Sequence, residues 1–352
     1  MKLEKNESAF PRFRNWVQLG IFVTTVGIGI QFYLYVRQAF QGEPFTISRP
    51  PGVEGFLPIG GLLAWKNFFV TGQWDPVHPA AMVILGFACI LSFGLRKSFC
   101  GWFCPIGTLS EWLGKIGKQI LGKNYQFPFW LDLPLRSLKY ILLGFFFWVI
   151  FFSMDMSATK NFLQSPYYKM ADVKMLHFFT QMSDTTAIVL AILIICSLFI
   201  FNFWCRYLCP YGALMGLLSL FGPTSIYREE KSCIECQRCS QICPYYLPIH
   251  KNSRIKSPEC NGCLECTLSC PVKNTLRLKT IGFKKFYWTP IRLGLLIIGS
   301  FVLLKYGAEI TGHWKSEITE VEFRIRLYEM MVEYSAYQHP QIEKNKSGGF
   351  QR

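Results

Sequence analysis

Charged side chains are scarce in this chain, at 17% of 352 residues, against roughly 25% in an average soluble domain. With 51% hydrophobic residues and 32 phenylalanines, that scarcity excludes intrinsic disorder and fits an ordinary soluble enzyme poorly. A catalytic triad, a phosphate-binding glycine loop and a dinucleotide fingerprint are all missing, which removes the usual footholds for hydrolase or nucleotide chemistry. No basic-aromatic nucleic-acid motif is present, and a basic face toward anionic lipid accounts for the +15 net charge without nucleic acid. Cysteine, at 14 residues, is too thin for a disulfide-stapled secreted domain. Twelve of those cysteines fall into repeated motifs, and the chemistry is to be sought there.

What the chain has in quantity is apolar runs. Crossing a bilayer takes about 20 mostly apolar residues, because backbone polar groups cannot be left unpaired in hydrocarbon. Five segments qualify, at roughly 16–36, 79–95, 135–154, 185–204 and 287–304; the second is short enough to be partly re-entrant. A weaker run at 60–70 is too short to cross and reads as interfacial. The first span has no small-residue cleavage site after it and reads as a retained anchor. Lys and Arg number 24 in 1–15, 96–139 and 205–292 but 13 in 37–78, 155–183 and 305–352. That bias puts the N-terminus and the long 205–292 segment inside, and the C-terminus outside.

Two stretches match at an offset of 105: Phe99-Cys100-Gly101-Trp102-Phe103-Cys104-Pro105 and Trp204-Cys205-Arg206-Tyr207-Leu208-Cys209-Pro210. Each follows a pair of spans, which gives two parallel copies of span–span–Cys-x3-Cys-Pro–helix and a pseudo-two-fold along the membrane normal. The proline disfavours helix at the preceding cysteine and suits the first position of a new helix. In the first copy that helix carries Ile106, Leu109, Leu113, Ile116 and Ile120 on one face, as expected on the inner membrane surface.

Between the fourth and fifth spans lies Cys233-x2-Cys236-x2-Cys239-x3-Cys243-Pro244, which recurs as Cys260-x2-Cys263-x2-Cys266-x3-Cys270-Pro271. This is the bacterial two-cluster ferredoxin spacing, in which the fourth cysteine of each run serves the other cluster. It predicts one [4Fe-4S] cluster on Cys233, Cys236, Cys239 and Cys270, and a second on Cys260, Cys263, Cys266 and Cys243. Zinc uses four-cysteine sets without this doubled spacing. Cys100, Cys104, Cys205 and Cys209 offer four more thiolates. They suit a third iron–sulfur cluster or metal bridging the repeats, a redox dithiol set, or unligated packing. Cys89 and Cys196 stand alone within spans and read as packing residues.

At these motifs the chain resembles the NapH-type membrane polyferredoxins, with relatives of the NosR and CcoG type. The similarity covers roughly residues 10–282, where twelve cysteines and four prolines stand in the family's order. The resemblance implies an iron–sulfur subunit of a respiratory complex in the bacterial inner membrane. Such a subunit relays electrons between the quinone pool and a partner redox protein, as a quinol dehydrogenase does. Its partners would be lipid, quinone and redox subunits, among them a periplasmic reductase or cytochrome. A cupric reductase or metalloenzyme assembly factor is the alternative, with weak support from Met154, Met156, Met170, Met175 and Met182 in one loop.

His78 and His177 each precede an even-numbered span and are candidates for a quinol or haem site, or else ordinary interfacial histidines. His250 reads as a surface loop residue, and Glu43, Glu54 and Asp75 as solvated loop carboxylates. The expected fold is an all-α polytopic membrane protein of about five helices with an inserted α+β ferredoxin module. Its parts are an anchor and first repeat (1–126), a second repeat (127–225), the cytoplasmic ferredoxin module (226–282), a fifth span (283–306) and a periplasmic tail (307–352). The alternation of 317–327 could add a strand to a docked partner, whereas 328–334 suits a short helix.

Overall fold

The computed structural model describes residues 10–282 and 286–332. The helical part begins with α1 (Phe10–Gln41), followed by α2 (Pro58–Thr71) and α3 (Pro79–Leu95). Then come α4 (Pro105–Leu121), α5 (Phe129–Trp148), α6 (Met156–Gln164), α7 (Pro166–Lys169), α8 (Ala171–Thr180), α9 (Asp184–Phe199) and α10 (Pro210–Phe221). The ferredoxin segment carries β1 (Thr224–Arg228), α11 (Arg238–Gln241), β2 (Arg254–Ile255), α12 (Glu265–Leu268) and β3 (Leu276–Thr280), and the chain goes on to α13 (Pro290–Ile310) and α14 (Glu320–Val332).

Among the described residues, three helices are long and apolar enough to cross a membrane: α1, α5 extended to Ser153, and α13. Helices α8 and α9, bent by 77° at their junction, qualify together as a fourth. The expected second span, α3, is 17 residues long, short of the roughly 20 that an untilted crossing needs. The run at 60–70 lies in α2, which buries Leu63 and Ala64 beside α3 and α6 and leaves Phe69 and Val70 exposed.

Both Cys-x3-Cys-Pro stretches take the same local form. A single π turn (Phe99–Phe103; Trp204–Leu208) ends in an extended cysteine, with φ/ψ of −71/120° at Cys104 and −76/105° at Cys209, and proline then opens a helix. The packing is reciprocal: α4 lies on α9, and α10 lies on α3. Helix α4 turns its small and polar face inward and leaves Ile106, Leu109, Ile116 and Ile120 exposed. The crossing with α9 is so close that a β-carbon on Gly117 would run into the Leu198 carbonyl oxygen.

The ferredoxin segment is an antiparallel sheet in the order β2-β1-β3, with Ile226 opposite both Ile255 and Leu278. It is not tethered to the bundle as a separate body. One core runs from Val17, Phe87 and Leu91 of the helices through Trp102 to Ile226, Leu264 and Leu278, with Leu293 and Ile297 of α13.

Residues 320–332 are a helix, where the alternation of 317–327 had suggested a strand. Phe323, Leu327 and Met330, spaced three and four apart, form the stripe that wins. They pack on Phe32, Tyr35, Val36 and Ala39 of α1 and on Met170 and Val173. The part of the tail from 333 to 352, including Tyr334 of the expected short helix, lies outside the described residues.

Candidate functional site

In each ferredoxin motif the backbone alternates between right- and left-handed residues. Glu235 and Gln237 have φ of 54° and 57°, and Gly262 and Leu264, at the same places in the second motif, have 61° and 65°. A non-glycine residue at positive φ is held there against a local cost. The alternation curls successive N–H groups around a common centre, a concavity that suits anions and iron–sulfur sites. Two cavities lie within the ferredoxin segment. One is lined by Cys233, Cys236, Cys239 and Cys270, the other by Cys243, Cys260, Cys263 and Cys266.

Among the described residues, no three His, Cys, Asp or Glu side chains converge as a single metal ion requires. Thiols spaced around a cavity instead suit a multi-iron cubane, so the donor set fits a [4Fe-4S] group. The two cavities differ in setting. Cys236 is exposed, whereas Cys243, Cys260, Cys263 and Cys266 are buried. Burial pushes the Cys243 thiol up to about 11 and those of Cys263 and Cys266 well above their usual range, so loading iron there must displace protons. His250 is half-buried beside the exposed set, not a free surface residue. Its Nδ1 lies 2.8 Å from the Ser240 hydroxyl, and its ring lines the same cavity.

The inner ferredoxin set abuts the membrane motifs. The Trp102 indole, fully buried, donates to the Gly262 carbonyl at 3.0 Å. Gly101 lies so close that a β-carbon there would meet the Asn261 carbonyl oxygen at 2.6 Å. Arg14, 2% exposed, donates to the Gly101 carbonyl at 2.9 and 3.0 Å, to Glu111 of α4, and to Glu265 between Cys263 and Cys266 at 3.3 Å. On the second motif, Arg206 donates to Asp132 of α5 and, at 3.0 Å, to the Tyr245 carbonyl two residues after Cys243. Sequence reading took Arg14 and Arg206 only as cytoplasmic positive charge. Nothing in the local sequence signals their long-range partners.

Cys100, Cys104, Cys205 and Cys209 line one cavity of about 890 Å³. Its wall continues along α1 from Ile21 to Tyr35, a reach of about 21 Å at 1.5 Å per residue. Ile28, Ile84, Phe103 and Phe301 make most of it apolar, and Arg49, Glu54, Lys305 and Glu309 stand toward the far end. Volume and lining are those of a site for a long amphipathic molecule.

Glu54 and Asp75, expected to be solvated, are 1% and 3% exposed. Glu54 accepts from the Ala80 amide at 2.9 Å and lies 3.4 Å from Nδ1 of His78. His78 is itself fully buried, with Nε2 2.8 Å from the Tyr168 carbonyl oxygen, and it stands behind Glu54 rather than on the cavity wall. His177 is half-buried on α8 beside Lys174, and no contact joins it to His78 among those described. Of the loop methionines, Met170 is fully buried and Met154 packs beside Leu63 and Ile150.

A family model described as "4Fe-4S binding domain" matches residues 77–124 and 185–226, which contain the four membrane cysteines, and one described as "4Fe-4S dicluster domain" matches 225–275. "Putative electron transport protein YccM" of Escherichia coli is 42% identical over 318 residues, covering 89% of this chain and 88% of that one. "Regulatory protein NosR" of Stutzerimonas stutzeri is 31% identical over 206 residues, 58% of this chain and 27% of that one. "Ferredoxin-type protein NapH" of Haemophilus influenzae is 25% identical over 213 residues, 55% of this chain and 68% of that one. No solved structure matches. With its paired Cys-x3-Cys-Pro turns packed against a dicluster ferredoxin fold, the chain belongs to the NapH/NosR-type membrane polyferredoxins, a family of electron-transport proteins.

Proposed function

We propose that this protein is a membrane-bound relay that takes electrons from quinol and delivers them, through three cysteine-ligated centres in series, to a partner redox protein. One observation carries the reading. The four membrane cysteines share a long apolar cavity, and their motif touches the ligand loop of the buried ferredoxin set. The order is then the Cys100, Cys104, Cys205 and Cys209 centre, next the Cys243, Cys260, Cys263 and Cys266 cluster, and last the Cys233, Cys236, Cys239 and Cys270 cluster. The exposure of Cys236 puts this last cluster within reach of a docked carrier. Iron–sulfur clusters, when bound, supply reversible one-electron transfer; the chain's own residues hold, space and shield them.

Quinol oxidation releases two protons with two electrons. Glu54, backed by His78 at 3.4 Å, supplies a buried proton-binding pair at the cavity's far end. The positive-inside bias supports a cytoplasmic ferredoxin side, with α14 on the outer face of an inner membrane. Of the five loop methionines behind the copper-reductase alternative, Met170 is buried and Met154 is packed, whereas Met182 is exposed. The test is anaerobic mixing of the purified protein with a reduced quinol analogue while visible absorbance is followed. Bleaching of the iron–sulfur bands is expected, and no reduction on any timescale would remove quinol from the reading.

A further inference from the structure

Lys97 follows α3 and stands three residues before Cys100. Its side chain is fully buried, and its ammonium has no hydrogen-bond partner. Three N–H donors in a dry interior need acceptors and a counter-charge. Nearby cations have theirs: Lys139 takes both oxygens of Glu259 at 2.6 and 2.8 Å, Arg206 holds Asp132, and Arg14 holds Glu111. Glu259 is the nearest opposite charge to Lys97 as well, but both its oxygens are taken by Lys139, which leaves two ammonium groups to one carboxylate. Lys97 has the Tyr245 ring at 5.7 Å and, on the same cavity wall, Cys100, Cys104, Cys205 and Cys209.

We infer that Lys97 is the counter-charge and N–H donor to an anionic, sulfur-bridged iron centre held by these four cysteines. The inference rests on the proposed reading of these thiolates as iron ligands and adds the residue that sets the centre's potential. A cluster with four thiolate ligands is anionic when oxidised and gains a further negative charge on reduction. A fixed ammonium beside it therefore stabilises the reduced form more, and N–H donation to sulfur acts in the same direction. Lys97 makes the membrane centre a better electron acceptor.

The test compares the parent protein with Lys97→Met and Lys97→Arg, all purified anaerobically. Iron and acid-labile sulfide are counted, and each centre is titrated by electron paramagnetic resonance against solution potential. The parent should hold more iron than the roughly eight atoms of two four-iron clusters. Lys97→Met should shift reduction of one centre about tenfold toward the oxidised form, about 59 mV for a one-electron couple. The two ferredoxin centres should stay at their parent potentials, and Lys97→Arg should restore most of the shift. Loss of the membrane centre alone in Lys97→Met, with retention in Lys97→Arg, would equally support a required charge. A loaded centre at the parent potential in Lys97→Met, or equal effects of Met and Arg, would overturn the inference. Only about eight irons in the parent would instead remove the membrane centre itself.

Discussion

Arg14 shows how much one residue at the start of a span can hold. Its guanidinium joins the first membrane motif through Gly101, helix α4 through Glu111, and the buried ferredoxin loop through Glu265. Burial works against ionisation of Glu111, but Arg14 and Lys115 more than offset it and hold the carboxyl at about 2. Because that value lies below the ordinary 4.5, the pair's contribution is complete above pH 4.5 and falls away as pH drops toward 2. Glu111→Gln should therefore lower the melting temperature of the helices, followed by circular dichroism, at pH 7, with the deficit shrinking as pH falls from 4.5 toward 2. A constant deficit across that range would show that packing, not charge, is at stake. Arg14→Met leaves Glu111 only Lys115 at 2.8 Å and the Gln18 amide at 3.2 Å, so the change should cost less than the roughly 3–5 kcal/mol of a fully broken buried pair. Glu54 is the second residue whose role shows only in the fold. Glu54→Gln should slow quinol-driven bleaching while leaving iron content unchanged; an unaltered rate would take the proton role from the Glu54–His78 pair.

At the scale of the element, proline chemistry made the two Cys-x3-Cys-Pro turns legible in advance, since the break and restart of helix at Cys104 and Cys209 follow from the residue type alone. What could not be read was the helix–helix geometry. Gly114 and Gly117 are unremarkable in a helical pattern, yet they are where α4 meets the end of α9. The β-carbon of Gly117→Ala would run into the Leu198 backbone oxygen, so α4 must back away, at an overpacking cost of about 1–3 kcal/mol. Since α4 begins at Cys104-Pro105, this change should also loosen the membrane centre before the ferredoxin clusters on heating. Simultaneous loss of all iron would contradict that order. The tail gives the converse lesson. Residues 317–327 alternate well enough for a strand, but α1 offers Phe32, Tyr35 and Val36 as a partner only to the helical stripe of Phe323, Leu327 and Met330.

For the whole molecule, the ligand spacing was legible because cubane geometry dictates it, whereas the fusion of ferredoxin to bundle was not. The cysteine motifs set 226–282 apart as a module, yet Trp102, Leu293 and Ile297 share one core with Ile226 and Leu264. Basic residues beside spans read as lipid-facing charge, yet Arg96 and Lys97 are 1% and 0% exposed. Burial of a charge depends on partners far away in sequence, which local pattern does not carry. Fusion holds the loop of Asn261 and Gly262, beside the buried cysteine set, directly against the first membrane motif. Cys243→Ala should therefore remove about four irons from the set otherwise supplied by the second motif, although Cys243 belongs to the first. The exposed cluster should survive, still reducible by dithionite, but quinol should no longer reduce it. Cys270→Ala should do the reverse, emptying the exposed set while quinol continues to reduce the buried one. Quinol reduction of the exposed cluster at the parent rate in Cys243→Ala would mean that electrons bypass the buried site and that the three centres do not act in series.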